Sequence, residues 1–69
     1  MTQKELLYVE DAIGHERVII SSIEEVINSL DDEDLQMFMH QELSYHKKME
    51  EDLLNVLEDL GNEWSNVIR

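Results

Sequence analysis

The scarcity of helix-breaking residues is the feature that most restricts what this chain can fold into. Its 69 residues include no proline and only two glycines. Sheets and loop-rich folds need such residues at their turns, whereas leucine and glutamate, which are common here, favour helices. The chain contains neither a low-complexity segment nor a linker. The sequence therefore predicts a single all-α domain spanning residues 1–69.

The charge balance excludes several classes of partner. Aspartate and glutamate number 17 against 5 lysine and arginine residues, which gives a net charge of −12 at pH 7. Nucleic acids and anionic membrane surfaces are bound mainly through lysine and arginine. The chain has no aliphatic run long enough to span a bilayer, and no cysteine for a disulfide or a thiolate metal site. We therefore expect a cytoplasmic protein with neither nucleic acid nor membrane as its partner.

Apolar residues recur at steps of three and four in the first part of the chain, which predicts an amphipathic helix over about residues 3–29. Thr2 and Glu5 have the spacing of a capping box at its start. The apolar stripe consists of Leu6, Val9, Ile13, Ile20, Ile23, Ile27 and Leu30, flanked by Ala12, Ile19 and Val26.

A second amphipathic helix is expected over about residues 34–60, after a turn at about residues 30–33. Asp31 or Asp32 can cap its first turn. Its stripe consists of Leu35, Met39, Met49, Leu53, Val56 and Leu60, flanked by Phe38, Leu43, Tyr45 and Leu57. Because the turn is short, the two helices should pack as an antiparallel hairpin.

The second helix is expected to end at Gly61 and Asn62, a typical C-terminal stop. Residues 61–69 would then form a short tail with three apolar side chains that could fold back over the open end of the hairpin.

A single hairpin is too small to cover both apolar stripes. Small chains in this situation usually oligomerise. Two hairpins packed face to face would form a four-helix bundle, so we expect a homodimer. A different protein partner or a larger assembly would cover the same surface.

Three polar residues interrupt the apolar stripes. Glu16 occupies a core position of the first helix, and Glu42 and His46 occupy core positions of the second. Folding the hairpin about the turn brings Glu16 within about one helical turn of His46, and Glu42 lies one turn before His46 on the same face. Since an unpaired carboxylate in an apolar core is costly, the three side chains should converge.

The chain here resembles the ferritin-like family, whose bundles carry a glutamate on one helix and Glu-x-x-His on the next. The opening Gln3–Asp11 segment, followed by His15 and Glu16, is similar to small spore-coat proteins of the coat F type and to rubrerythrin-related proteins. The resemblance implies half-ferritin hairpins that dimerise to complete a metal site. It assigns Glu16, Glu42 and His46 as ligands of iron, as a di-iron centre, or of another divalent transition metal.

The resemblance also implies a function and a location. A di-iron centre would oxidise Fe(II) or reduce peroxide, and a spore coat would be the site of action. This chain departs from the family pattern because His46 follows Glu42 by four residues, and Tyr45 stands at the family's histidine position. The heptad spacing nevertheless predicts that His46 points into the bundle and Tyr45 lies at its flank.

A metal-free alternative remains open at this stage. The three polar residues could form a buried hydrogen-bonded network that fixes the alignment of the helices, as polar core residues do in coiled coils. The chain would then be a structural or protein-interaction module. His15 and His40 fall outside the stripes and should be exposed, and Glu50, Glu51 and Asp52 should form a solvated face.

Overall fold

A computed structural model describes the backbone of residues 2–68 and the surroundings of residues 2–59 and 61. It contains two helices, α1 (Gln3–Ser29) and α2 (Glu33–Ile68), and no strand within the described residues. The helices pack along each other as a rod of 55 × 15 × 13 Å. The predicted all-α hairpin is confirmed. In the part of the chain that the structure describes, neither helix is long and apolar enough to cross a membrane.

Polar caps fix the ends of the helices where the sequence predicts them. The Glu5 amide donates to the Thr2 hydroxyl, and the Thr2 amide donates back to the Glu5 carboxylate, which completes the capping box. The Thr2 hydroxyl also donates to that carboxylate and lowers the pKa of Glu5. At the corner, Asp32 accepts a hydrogen bond from the Leu35 amide at 3.0 Å and so caps α2.

The core between the two helices is small. Among the described apolar side chains, only Ile13, Ile20 and Ile23 are buried, and all three belong to α1. The facing residues of α2, Met39, Leu53 and Leu57 among them, are half-buried. A hairpin of this kind covers one side of each apolar stripe and leaves the other side open.

The open side forms a continuous surface, which we call the apolar face. Apart from Phe38, its positions repeat every seven residues, so they stay on one side of each helix. On α2, Leu35 and Val56 were expected in the core, but they are 51% and 42% exposed. The apolar face comprises Ala12, Ile19 and Val26 of α1 with Leu35, Phe38, Met49 and Val56 of α2.

The opposite side of the hairpin is a polar groove. It is lined mainly by charged and polar side chains, namely Arg17, Ser21, Glu24, Lys47, Glu50 and Glu51, above Ile20 and Leu54. The two sides therefore differ sharply in chemistry, and only the apolar face gains by leaving water.

The C-terminal part of α2 differs from the expectation. The helix does not stop near residue 60 but continues through Gly61 to Ile68. Gly61 does not adopt the positive φ that a glycine helix stop requires. A glycine inside a helix costs only about 1 kcal/mol relative to alanine, so neighbouring turns can carry the helix past it. The predicted contacts of the side chains at Leu60 and in the 61–69 tail lie outside the described residues.

Gly14 gives a test of the description of α1. It lies in mid-helix on the exposed side, and a Cβ added there meets no atom within 4 Å. Gly14→Ala is therefore expected to stabilise the protein by about 1 kcal/mol, because alanine has the higher helix propensity. Thermal unfolding should show a rise of about 4–8 °C for a domain of this size. A loss of stability would show instead that another surface approaches the Gly14 backbone closely.

Candidate functional site

The centre of the hairpin holds a buried carboxylate paired with a histidine. Glu16 is 7% exposed, the one buried charged residue among those described. Its Oε2 lies 2.6 Å from Nδ1 of His46 on the other helix. When Glu16 is ionised its carboxylate can only accept, so His46 Nδ1–H then donates to it. The pair satisfies a group that would otherwise be costly to bury.

Glu42 approaches the same histidine from the other side. Its Oε2 lies 3.9 Å from His46 Nε2, which is too far for a hydrogen bond. The Glu42 side chain is 42% exposed, against 19% for His46 and 10% for Glu16. The structure therefore brings all three predicted residues together. Glu16 is hydrogen-bonded to His46, whereas Glu42 is not.

The position of the three residues along the hairpin is central. Glu16 is the middle residue of α1, which runs from residue 3 to residue 29. Glu42 lies on the apolar face, in the seven-residue series of Leu35, Met49 and Val56. We call Glu16, Glu42 and His46 the polar layer. It divides α1 into two parts of 13 residues each, and α2 has 13 residues before His46 and 22 after it.

The donor set suits a transition metal. An imidazole nitrogen and carboxylate oxygens together are typical ligands of iron, manganese and zinc. Metal-binding histidines usually donate their other ring N–H to a carboxylate, as His46 does to Glu16. This leaves His46 Nε2 and the Glu42 carboxylate as the available ligands of one hairpin. Within the described residues, no three histidine, aspartate or glutamate side chains are arranged to hold an ion.

The chain was also compared with known proteins. No protein-family model, curated protein or solved structure matches it. The resemblance to ferritin-like hairpins therefore stays a prediction carried by the residues of this sequence.

The neighbouring aromatic and histidine residues lie where the spacing predicts. Tyr45 is 62% exposed at the flank of the layer, and its ring meets the His46 ring edge-on at 5.5 Å. His46 points between the helices, as the heptad spacing predicted despite the altered Glu-x-x-x-His step. His15 and His40 are both exposed, as expected.

Sequence reasoning missed one ion pair beside the polar layer. Arg17 Nε donates to Glu50 Oε2 at 3.3 Å across the polar groove. Glu50 was expected in the solvated face, but it is half-buried, whereas Glu51 and Asp52 are exposed. The antiparallel alignment that pairs Glu16 with His46 places Glu50 opposite Ala12, so Arg17 reaches it over about five residues along the axis and spacing alone gave no signal for the pair.

Proposed function

We propose that this chain acts as a homodimeric, ferritin-like four-helix bundle that binds a divalent transition metal, iron in the first place, at its central polar layer. The observation that carries the proposal is the orientation of His46. Its Nδ1–H is taken by buried Glu16, so Nε2 faces the free carboxylate of Glu42. A nitrogen and an oxygen ligand are thereby presented side by side.

The second copy is the occupant that best fits the apolar face. The two-helix face is about 40 Å long, the length of the 27-residue α1, and 15 Å wide. Its plan area of about 600 Å² is of the order that each partner contributes at the lower end of standard stable interfaces. The small core supports the same conclusion, since three buried isoleucines give a monomer little hydrophobic stabilisation. Two copies would place four glutamates and two histidines at the centre of one bundle.

The residues of the polar layer would have different roles in metal binding. His46 and Glu42 would bind it directly, and Glu16 would hold the imidazole in the orientation and tautomer that leave Nε2 free. Iron bound there would supply the Fe(II)/Fe(III) chemistry of a ferroxidase or peroxidase. The apolar halves on either side of the layer would keep bulk water away from the centre.

A metal-free interaction module is the second candidate. One observation favours it: the hydrogen bond between Glu16 and His46 already satisfies the buried carboxylate without any ion. The polar layer would then serve only to align helices, and the apolar face would bind its partner by hydrophobic contact alone.

Metal content and metal-induced stabilisation test the proposal. Protein purified without chelator should contain iron or another transition metal in stoichiometric amount. Fe(II) added anaerobically to the metal-free protein should raise its melting temperature, by a stabilisation of about 2.7 kcal/mol at 100 times the dissociation constant. The double variant Glu16→Leu/His46→Leu should bind no metal and show no such rise.

A matched control separates the site from the acidic surface. The variant Glu51→Gln removes one exposed carboxylate from α2 on the groove side and should bind metal as the parent does. Metal binding would be contradicted if the parent protein contained no metal and its melting temperature did not change with Fe(II), Mn(II) or Zn(II). The metal-free interaction module would then be the better account.

A further inference from the structure

We propose that Glu42 couples metal binding to the pairing of two copies, so that the dimer forms tightly only when the polar layer is loaded. This inference rests on the proposed function and adds a regulation to it. Its basis is the position of Glu42, the one charged residue in the seven-residue series of the apolar face between residues 35 and 56 of α2. A side-by-side dimer that covers this face necessarily buries the Glu42 carboxylate.

The symmetry of a dimer brings the two polar layers together. Because Glu16 is the middle residue of α1 and pairs with His46, the layer lies at the middle of the segment in which the two helices pack against each other, residues 3–29 against residues 33–59. A two-fold axis that overlaps these two-helix segments fully must bring both layers to the same level, whether it runs along the rod or across it. The two Glu42 carboxylates then lie in one dry interior.

The charge of the combined layer explains why a cation is needed. Two copies contribute four carboxylates, and two histidines can balance at most two of these charges. In a single hairpin Glu42 has no hydrogen-bond partner among the described residues but is 42% exposed, so water solvates its charge. Pairing removes this water, and like charges repel strongly in an apolar interior. Two divalent ions would carry four positive charges and balance the four carboxylates.

Glu16 cannot play the same part. Its carboxylate is already buried in the single hairpin and accepts from His46 at 2.6 Å. Dimerisation therefore changes the surroundings of Glu42 far more than those of Glu16. In this arrangement Glu16 is a positioning residue. Glu42 links the two equilibria, because dimerisation buries its charge and metal binding compensates it.

Sedimentation equilibrium of the full chain with Fe(II) under argon, and again with excess chelator, tests the coupling. For the parent protein, chelator should raise the dimer dissociation constant at least tenfold, which corresponds to about 1.4 kcal/mol. Glu42→Leu should dimerise at least as tightly as the metal-loaded parent, and chelator should not change its dissociation constant. Glu42→Gln keeps the size but removes the charge, and it should also be insensitive to chelator.

The control variant is Glu51→Leu, which removes a carboxylate of α2 from the groove side. It should remain as sensitive to chelator as the parent. Elemental analysis of the same samples distinguishes two kinds of failure. A parent dimer that binds metal but has the same dissociation constant with and without it would overturn the coupling and leave the proposed function intact. A parent that binds no metal would overturn both.

Discussion

His46→Leu is expected to be the most destabilising single substitution in the hairpin. It leaves the Glu16 carboxylate buried without its donor, and breaking a buried pair by removing one partner costs about 3–5 kcal/mol. A chain of this size has a total stability of only about that amount. Urea unfolding in the presence of chelator should therefore show a protein that is largely unfolded at 25 °C.

The double variant Glu16→Leu/His46→Leu gives the decisive comparison. Replacing both members of a buried pair by apolar residues is often neutral or stabilising by about 1–4 kcal/mol, so the double variant should regain the parent stability or exceed it. His40→Leu is the matched control, because His40 is an exposed histidine of the same helix, and it should change stability little. If His46→Leu proved as stable as the parent, Glu16 would have to reach water in a way this packing does not allow.

Val26→Lys should abolish the dimer. Val26 lies on the apolar face and is 43% exposed in the single hairpin, so a second copy would bury it. A charge buried within a packed interface costs about 2 kcal/mol or more, which raises the dimer dissociation constant at least about 30-fold. Lysine also reduces the net negative charge of the chain, so weaker pairing could not be attributed to general repulsion.

Val18→Lys is the control for this substitution. The residue type and the helix are the same, but Val18 is 66% exposed and lies outside the apolar face. Sedimentation equilibrium should show a dimer for Val18→Lys and a monomer for Val26→Lys at the same concentration. Equal association of the two variants would mean that copies pair through another surface, and a monomeric parent would mean that they do not pair.

The sequence was sufficient for the parts of the fold that depend on local chemistry. The steps of three and four that link Ile13, Glu16, Ile20 and Ile23 predicted the buried side of α1, and the three isoleucines form the core. The capping box and the aspartate cap depend on neighbours within one turn, and both appear as expected. Such interactions need no knowledge of the rest of the chain.

Features that depend on what faces a residue were harder to predict. The heptad stripe does not say which half of it meets the other helix, so Leu35 and Val56 were expected in the core and lie on the open face. Gly61 carries a stop signal that the helix overrides. Within the site, the sequence spacing predicted that the three residues converge. It could not predict that Glu16 rather than Glu42 forms the hydrogen bond with His46, because that depends on side-chain geometry.

The central position of the polar layer has a consequence for the folding of the single hairpin. If α2 slid along α1 by seven residues, most apolar contacts would be replaced by equivalent ones, because both stripes repeat with that period. Glu16 would then face Met39 or Leu53, which stand seven residues before and after His46 and offer no donor. A slipped hairpin of this kind is destabilised because the Glu16 carboxylate is buried without a donor. The two helices therefore have one preferred alignment although their apolar stripes are nearly uniform.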